Sequence, residues 1–556
     1  MALLMWGPIR QQSATVDEPM ILAAGYTYVE GMGFWFQPDQ TPLAKMWLAL
    51  PLLFMRVEIP PSGVVLLERR EGYRYAQPWY GSAQPAEKLF PQGRDNWYFW
   101  PYIEAEGFGQ VLVYGGRNDA ERMLVAGRAM QTVLTLLTGL IIALWAGKQA
   151  GQAAAIMAAA LWVFNPVALA HGHVIQTDAG AALMFVVTLW AFIRFLERPQ
   201  RGNAVWLGLA LGATVLVKST ALLLLPIFVA LAALSWWRQR WDSRQTATVL
   251  KRVPLVLVTV WALMLLVYEP FWSPAPWLSA QRASQLGVPW WFQTFRPVLI
   301  PPDFFKSVAL QIAETRMGRR GYLCGAWSTH GWWYYYPVAF ALKVPIPLLL
   351  LSAAGVVLFL KRVRNASLGE AAVWIASAVY LGFAMTNKMD IGIRHVLPMF
   401  PLLAVGTAVA ISRLSRWPRV AAWVLCGWLA LVAVRAHPFY LEYFNELAGG
   451  TPNGHRYLLD SNLDWGQDVK RLRNYLDSHG LQHIYLRYFG APAAVQYYKI
   501  NCTFVSAEQA HSIRNGTLVV SAMELMKPEW EWLRQQYQPA DRVGYSLFVY
   551  RLGDQP

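Results

Sequence analysis

The sequence predicts a mainly α, polytopic membrane bundle followed by a small C-terminal α/β domain, and three observations predict it. Of the 556 residues, 56% are apolar and only 15% are charged, and the apolar ones gather into runs too long for the core elements of a water-soluble domain. Basic residues return in alternate connections between those runs, as the positive-inside rule requires. After His437 the chain becomes far less apolar and strand-like runs begin.

Ten spanning segments follow from the apolar runs: 124–147, 151–171, 179–196, 204–217, 219–236, 254–272, 337–360, 370–386, 394–411 and 418–436. The stretch from Val205 to Trp237 is too long for one helix across a core of roughly 30 Å. It carries Lys218 at its middle, so it divides into two short spans that turn at that lysine. Lys148, then Arg198 and Arg201, then Arg238, Arg240, Arg244, Lys251 and Arg252, then Lys361, Arg362 and Arg364, then Arg413, Arg416 and Arg419 all fall in alternate connections. Those connections are expected to be cytoplasmic. Residues 1–123, the loop 273–336 and the tail from 437 are then external. The net charge of +15 is thereby explained by membrane topology, and a nucleic-acid role is disfavoured.

An external amino terminus needs a span before it. Residues 1–9, MALLMWGPI, are too short to be one, and they lack the basic region and cleavage site of a signal peptide. The expectation is that most of a first helix is missing from this sequence. The division expected is an external loop with amphipathic juxtamembrane helices at 1–123, a transmembrane domain at 124–436 and an extracytoplasmic α/β domain at 437–556. In that last domain a helix is expected from Trp465 to His479 with Asp464 as N-cap, and strands at 484–489, 517–521 and 546–551. No Gly-rich phosphate loop follows any of these strands. The Asp460–Asp468 segment fails the calcium-loop spacing, its twelfth position being Arg471, and reads as a turn and helix start. Cys324, Cys426 and Cys502 show no metal-ligand spacing. A disulfide between Cys324 and Cys502, on one side of the membrane, is the less favoured alternative to free thiols.

Candidate chemistry lies at the external ends of the spans. Asp17 and Glu18, in VDEPMILAAGYTYV, could serve as a general base and its partner, or could cap the helix that Pro19 helps to start. Asp178, in HGHVIQTDAG, is costly at the membrane unless it faces a cavity or partner, although it too could be an N-cap. Lys218 needs an anion or a polar cavity, with snorkelling to the headgroups as the alternative. Lys388, Asp390, Arg394 and His395, in NKMDIGIRHVLP, form a second cationic cluster suited to a phosphate or to interfacial anchoring. The Trp332–Tyr336 block reads as an interface belt more than a sugar platform. His171 and His173 have no metal partner in the pattern. The residues specify no metal site, and a divalent cation is the one cofactor left open.

The ordered set DEP…AAGYTY…TPLAK, HGHVIQTD, KST and NKMDIGIRHVLP, with HPFYLEYFNELAGGTPNGHRYLLDSNLDWGQDVKRL in the tail, resembles the bacterial members of glycosyltransferase family 39. These are phospholipid-carrier-dependent enzymes related to protein O-mannosyltransferases and to the aminoarabinose transferase of lipid A. The resemblance implies the GT-C membrane fold, a catalytic acid on a large first external loop, and a polyprenyl-phosphate-linked sugar donor. By position it implies that Asp17 is the catalytic base with Glu18 beside it, and that Asp178 is the second acidic residue. It implies phosphate or donor contacts from Lys45, His173, Lys218 and Arg394. Lys45 matches the lysine of the mannosyltransferases' HPPLGK motif, but Gln40 and Thr41 replace that motif's histidine and first proline. His173 stands where those enzymes place an arginine. The expected reaction is an inverting single displacement onto a hydroxyl of a protein, lipid or glycan, at the outer face of a bacterial inner membrane. A transporter or flippase of lipid-linked sugars, and a non-catalytic scaffold, are the competing readings; no internal repeat supports the former.

Overall fold

The computed structural model describes residues 1–31, 37, 40–59, 99–239, 241, 243–268 and 301–553. Arg240, and the expected loop 273–336 as far as residue 300, lie outside them. Among the described residues, six helices are long and apolar enough to cross a membrane: Ala120–Ala150, Asp178–Glu197, Ser219–Arg238, Ser243–Tyr268, Ile346–Asn365 and Arg416–Ala436. The chain is a multi-pass membrane protein. The other four expected spans are shorter apolar helices, Gln152–Val163, Arg201–Val217, Leu368–Ala384 and Met399–Ser412.

The departures from ten uniform spans have local causes. The span expected at 151–171 breaks at Asn165, whose side chain caps a second helix, Pro166–His171, by accepting the Val167 N–H at 3.0 Å. The span expected at 337–360 is two helices, Tyr335–Lys343 and Ile346–Arg362. Between them Val344, which precedes Pro345, is extended at φ −90° and ψ 132°. The division at Lys218 is observed: it is extended at φ −161° after the helix Arg201–Val217 and leads into the 3-10 turn Ser219–Leu223.

Connections expected on one face do meet. Arg238 donates to the Ala366 and Val363 carbonyls at 2.7 and 2.6 Å, the Arg413 guanidinium pairs with Glu370, and Ser367 reaches Gln149 at 3.2 Å. At the opposite end of the bundle, Asp17, Asp178, Lys218 and Arg394 come together.

Ahead of the long helices stand Ala2–Gln11, Asp17–Val29, Pro42–Ala49 and Phe99–Tyr114. Two glycines permit their close packing. A Cβ on Gly109 would lie 2.7 Å from the backbone of Met20, and one on Gly25 would lie 2.1 Å from the Lys45 carbonyl oxygen. The segment Ser13–Val16 is stitched to the tail by backbone bonds from Ser13 to Gln467 at 3.0 Å and from Val16 to Trp465 at 2.9 Å.

The tail holds a mixed sheet of β3 (Ile484–Arg487), β4 (Cys502–Phe504), β5 (Gly516–Ser521), β6 (Asp541–Val543) and β7 (Leu547–Leu552), in the order β4-β3-β5-β7-β6. β3 runs parallel to β4 and β5, while β7 is antiparallel to β5 and β6. A hairpin of β1 (Gly321–Leu323) and β2 (Ala326–Ser328) packs on this domain, with the Trp327 indole donating to Met526. Asp464 does not cap the tail helix. That helix is Val469–Ser478, and the Asp464 carboxylate instead accepts the Met523 N–H at 2.7 Å. The three cysteines are free.

Candidate active site

Four residues from four distant segments converge. Asp17 opens the helix Asp17–Val29, Asp178 opens Asp178–Glu197, Lys218 sits at the break after Val217, and Arg394 lies in the 3-10 turn Ile393–Val396. The Lys218 ammonium pairs with Asp178 Oδ1. Arg394 Nη1 lies 3.2 Å from Asp17 Oδ2 and 3.7 Å from Asp178 Oδ2. The four line one cavity of about 430 Å³. Its remaining wall is largely the helix Pro302–Met317 and the residues just after it, which add Glu314, Arg316 and Arg319. Arg319 donates to Glu314 Oε1 at 3.0 and 2.5 Å. Gln37 and Gln40 close another side.

The Arg394 turn is held from the tail. The Asn462 side chain accepts the Ile393 N–H at 3.0 Å, Ser461 donates to the Ile391 carbonyl at 2.8 Å, and the guanidinium stacks 4.3 Å from the Trp465 ring. Asp178 sits where a helix N-terminus favours a carboxylate. Its two oxygens face two different cations, an arrangement that fixes both positive charges beside an open cavity.

Three of the expected site residues are elsewhere. Glu18 is fully buried, and both its oxygens are taken by Arg128 at 2.8 and 2.7 Å, with the Thr15 and Ile175 N–H groups adding bonds at 2.8 and 3.0 Å. Burial alone would raise its carboxyl, but the Arg128 charge and these bonds hold it below the usual carboxylate range. The pair therefore divides: Glu18 ties down the helix start, and Asp17 faces the cavity. Lys45 gives its ammonium to Tyr28 Oη at 3.1 Å and to the Gln37 and Gln40 carbonyls at 2.8 and 2.9 Å. It builds the cavity wall from behind, because those three bonds match its three donors. His173 bonds the Leu169 carbonyl at 2.7 Å and the Gln12 side chain at 2.9 Å. Burial, aided by the Arg128 charge, pushes its ring down to about 4, and it does not line the cavity.

Sequence reasoning missed Arg128, whose guanidinium also donates to the carbonyls of Ile9, Gln12 and Ser13. The signal was available, since an arginine four residues inside an expected span is an intramembrane charge in need of a partner. It missed Glu106 too. Burial pushes that carboxyl up to about 7, with the Asp17 charge adding to the effect and Arg319 opposing it. Among the described residues, no group of three or more His, Cys, Asp or Glu side chains is arranged to hold a metal ion.

Residues 121–271 match the family model described as dolichyl-phosphate-mannose-protein mannosyltransferase. The matched segment contains Arg128, Asp178 and Lys218, and it is the family indicated by the ordered motifs. No curated protein matches the chain. Among solved structures, ArnT from Cupriavidus metallidurans is similar at 13% identity over 100% of this chain and 98% of that one. The TM-score is 0.45 for its apo state and 0.46 for its complex with undecaprenyl phosphate. The archaeal oligosaccharyltransferase AglB from Archaeoglobus fulgidus, in complex with an inhibitory peptide and a dolichol-phosphate, is similar at 14% identity. That match has a TM-score of 0.38 and covers 80% of this chain and 65% of the other.

Proposed function

We propose, from the match of residues 121–271 to a lipid-phosphate-sugar transferase family, that this protein moves a sugar from a polyprenyl-phosphate carrier to a hydroxyl acceptor. The observation that carries the reading is the convergence of Asp17, Asp178, Lys218 and Arg394 on one cavity. Asp17 is the general base. Its Oδ1 is the oxygen that the Arg394 contact leaves for an acceptor hydroxyl. As the acceptor oxygen bonds the anomeric carbon, the bond from that carbon to the phosphate oxygen breaks. The acceptor proton passes to Asp17 and the lipid phosphate departs with the electron pair, inverting the centre.

Lys218 and Arg394 meet the phosphate charge as it develops, and Asp178 keeps them at the correct spacing beforehand. A site whose cations are already fixed needs no reorganisation during the reaction, and one such group commonly contributes on the order of a hundredfold in rate. The cavity lies at the end of the bundle opposite the Arg-rich connections, which supports a periplasmic site in a bacterial inner membrane.

The test is incubation of the purified protein with undecaprenyl-phosphate-linked sugars, radiolabelled in the sugar, and a cell-envelope extract. Label appearing in an acceptor together with free undecaprenyl phosphate supports the transferase. Label that crosses a proteoliposome bilayer still attached to the lipid, with no product, would make the protein a flippase.

A further inference from the structure

We infer that His395 hydrogen-bonds a hydroxyl of the carrier-linked sugar and so sets which sugar the cavity accepts. The inference rests on the glycosyl-transfer reading above. His395 lines the same cavity as Asp178, Lys218 and Arg394. Its Nε2 is buried and has no hydrogen-bond partner. The other polar side chains around it are largely engaged: Asp17 and Asp178 with Arg394, Lys218 with Asp178, Glu314 with Arg319 and Gln311, and Thr177 with Gln40. A buried nitrogen left unmet is unfavourable and uncommon in a folded protein unless something else satisfies it.

The position is fixed and not the result of a loose turn. Asn462 holds the Ile393 N–H and Ser461 holds the Ile391 carbonyl. At Gly392 a Cβ would fall 2.0 Å from Ser461 Oγ, so the backbone presses directly against the tail. The imidazole is thus presented to the cavity by a braced support, as a recognition group should be.

The chemistry favours a hydroxyl over the phosphate. Phosphate oxygens only accept, and two fixed cations already face them. A sugar hydroxyl both donates and accepts, so it pairs with Nε2 in either neutral tautomer. Gln37 Oε1 and Gln176 Oε1, on other walls of the cavity, are also buried without partners and can only accept. Arg394 Nε is likewise buried without a partner and can only donate, so four unmet groups line one cavity, and they fit a polyhydroxylated ligand better than an isoprenoid chain.

Binding of undecaprenyl phosphate and of a panel of undecaprenyl-phosphate-linked hexoses and pentoses should be compared in full-length wild-type, His395→Leu and His395→Gln proteins. His395→Leu should weaken the preferred sugar-bearing lipid about tenfold and leave undecaprenyl phosphate within twofold. His395→Gln, whose amide reaches the Nε2 position, should recover most of the loss. Equal weakening of both lipids, or no weakening of either, would overturn the assignment of His395 alone. A wild-type protein that binds none of these lipids would overturn the transferase reading and this inference with it.

Discussion

Asp17 and Glu18 are neighbours in sequence and have opposite environments. Glu18 is locked in a buried ion pair with Arg128, whose five bonds reach Glu18 and three backbone carbonyls of the first segment. Breaking one side of such a pair strands the other charge, at a cost of about 3–5 kcal/mol. Glu18→Gln should therefore lower thermal stability strongly and activity only in proportion to the folded fraction, as melting and transfer assays on the same sample would report. The sequence allowed both readings of this pair, helix start and catalysis, because spacing cannot say which way a side chain points. Glu18 takes the helix-start role, and Asp17 faces the cavity. Asp178, Lys218 and Arg394 were legible for a stronger reason: an ionisable group at a span end demands a partner, and here the partners are one another. Lys45 and His173 entered only through resemblance to a motif, and both give their polar atoms to protein partners and not to the cavity space.

At the level of elements, the spans and the strands could be read because hydrophobic period is a property of short windows. The break points could be read only partly. Lys218 announced one break, whereas the helix ends at Asn165 and Val344 depend on cap and proline geometry inside an otherwise continuous apolar run. The close packing of Phe99–Tyr114 on Asp17–Val29 had no signature beyond one glycine. Gly109→Ala should push those helices apart at the Met20 backbone and cost about 1–3 kcal/mol. It should also reduce turnover, since Asp17 begins the displaced helix. Melting temperature and initial rate, measured together, check both effects.

For the molecule as a whole, the tail domain is part of the frame around the candidate site. It holds Ser13, Val16 and the Arg394 turn by direct bonds, so the loop carrying Asp17 and the turn carrying Arg394 are braced by one body. Long-range contacts of this kind leave no local sequence pattern, which is why they were not foreseen. The joint also carries buried acids. Burial pushes Asp464 from 3.8 up to about 8, and Glu442 from 4.5 up to about 7 with the Asp468 charge adding to it. The folded protein therefore holds these protons more tightly than the unfolded chain. Their contribution is complete below about pH 4 and is lost as the pH rises through 7 and 8. Melting temperature should fall across that window, and Asp464→Asn, which cannot ionise, should flatten the fall. A curve of unchanged slope in the variant would show that Asp464 is not the group responsible.

In the proposed reaction Asp17 accepts the acceptor's proton in a site whose cations are already in place. The most direct measurement is single-turnover transfer by Asp17→Asn, alongside its affinity for undecaprenyl phosphate. The expected result is a loss on the order of 10² to 10⁴ in the transfer step, with lipid-phosphate affinity within twofold of wild type. Transfer at a near wild-type rate by a folded Asp17→Asn protein would contradict it.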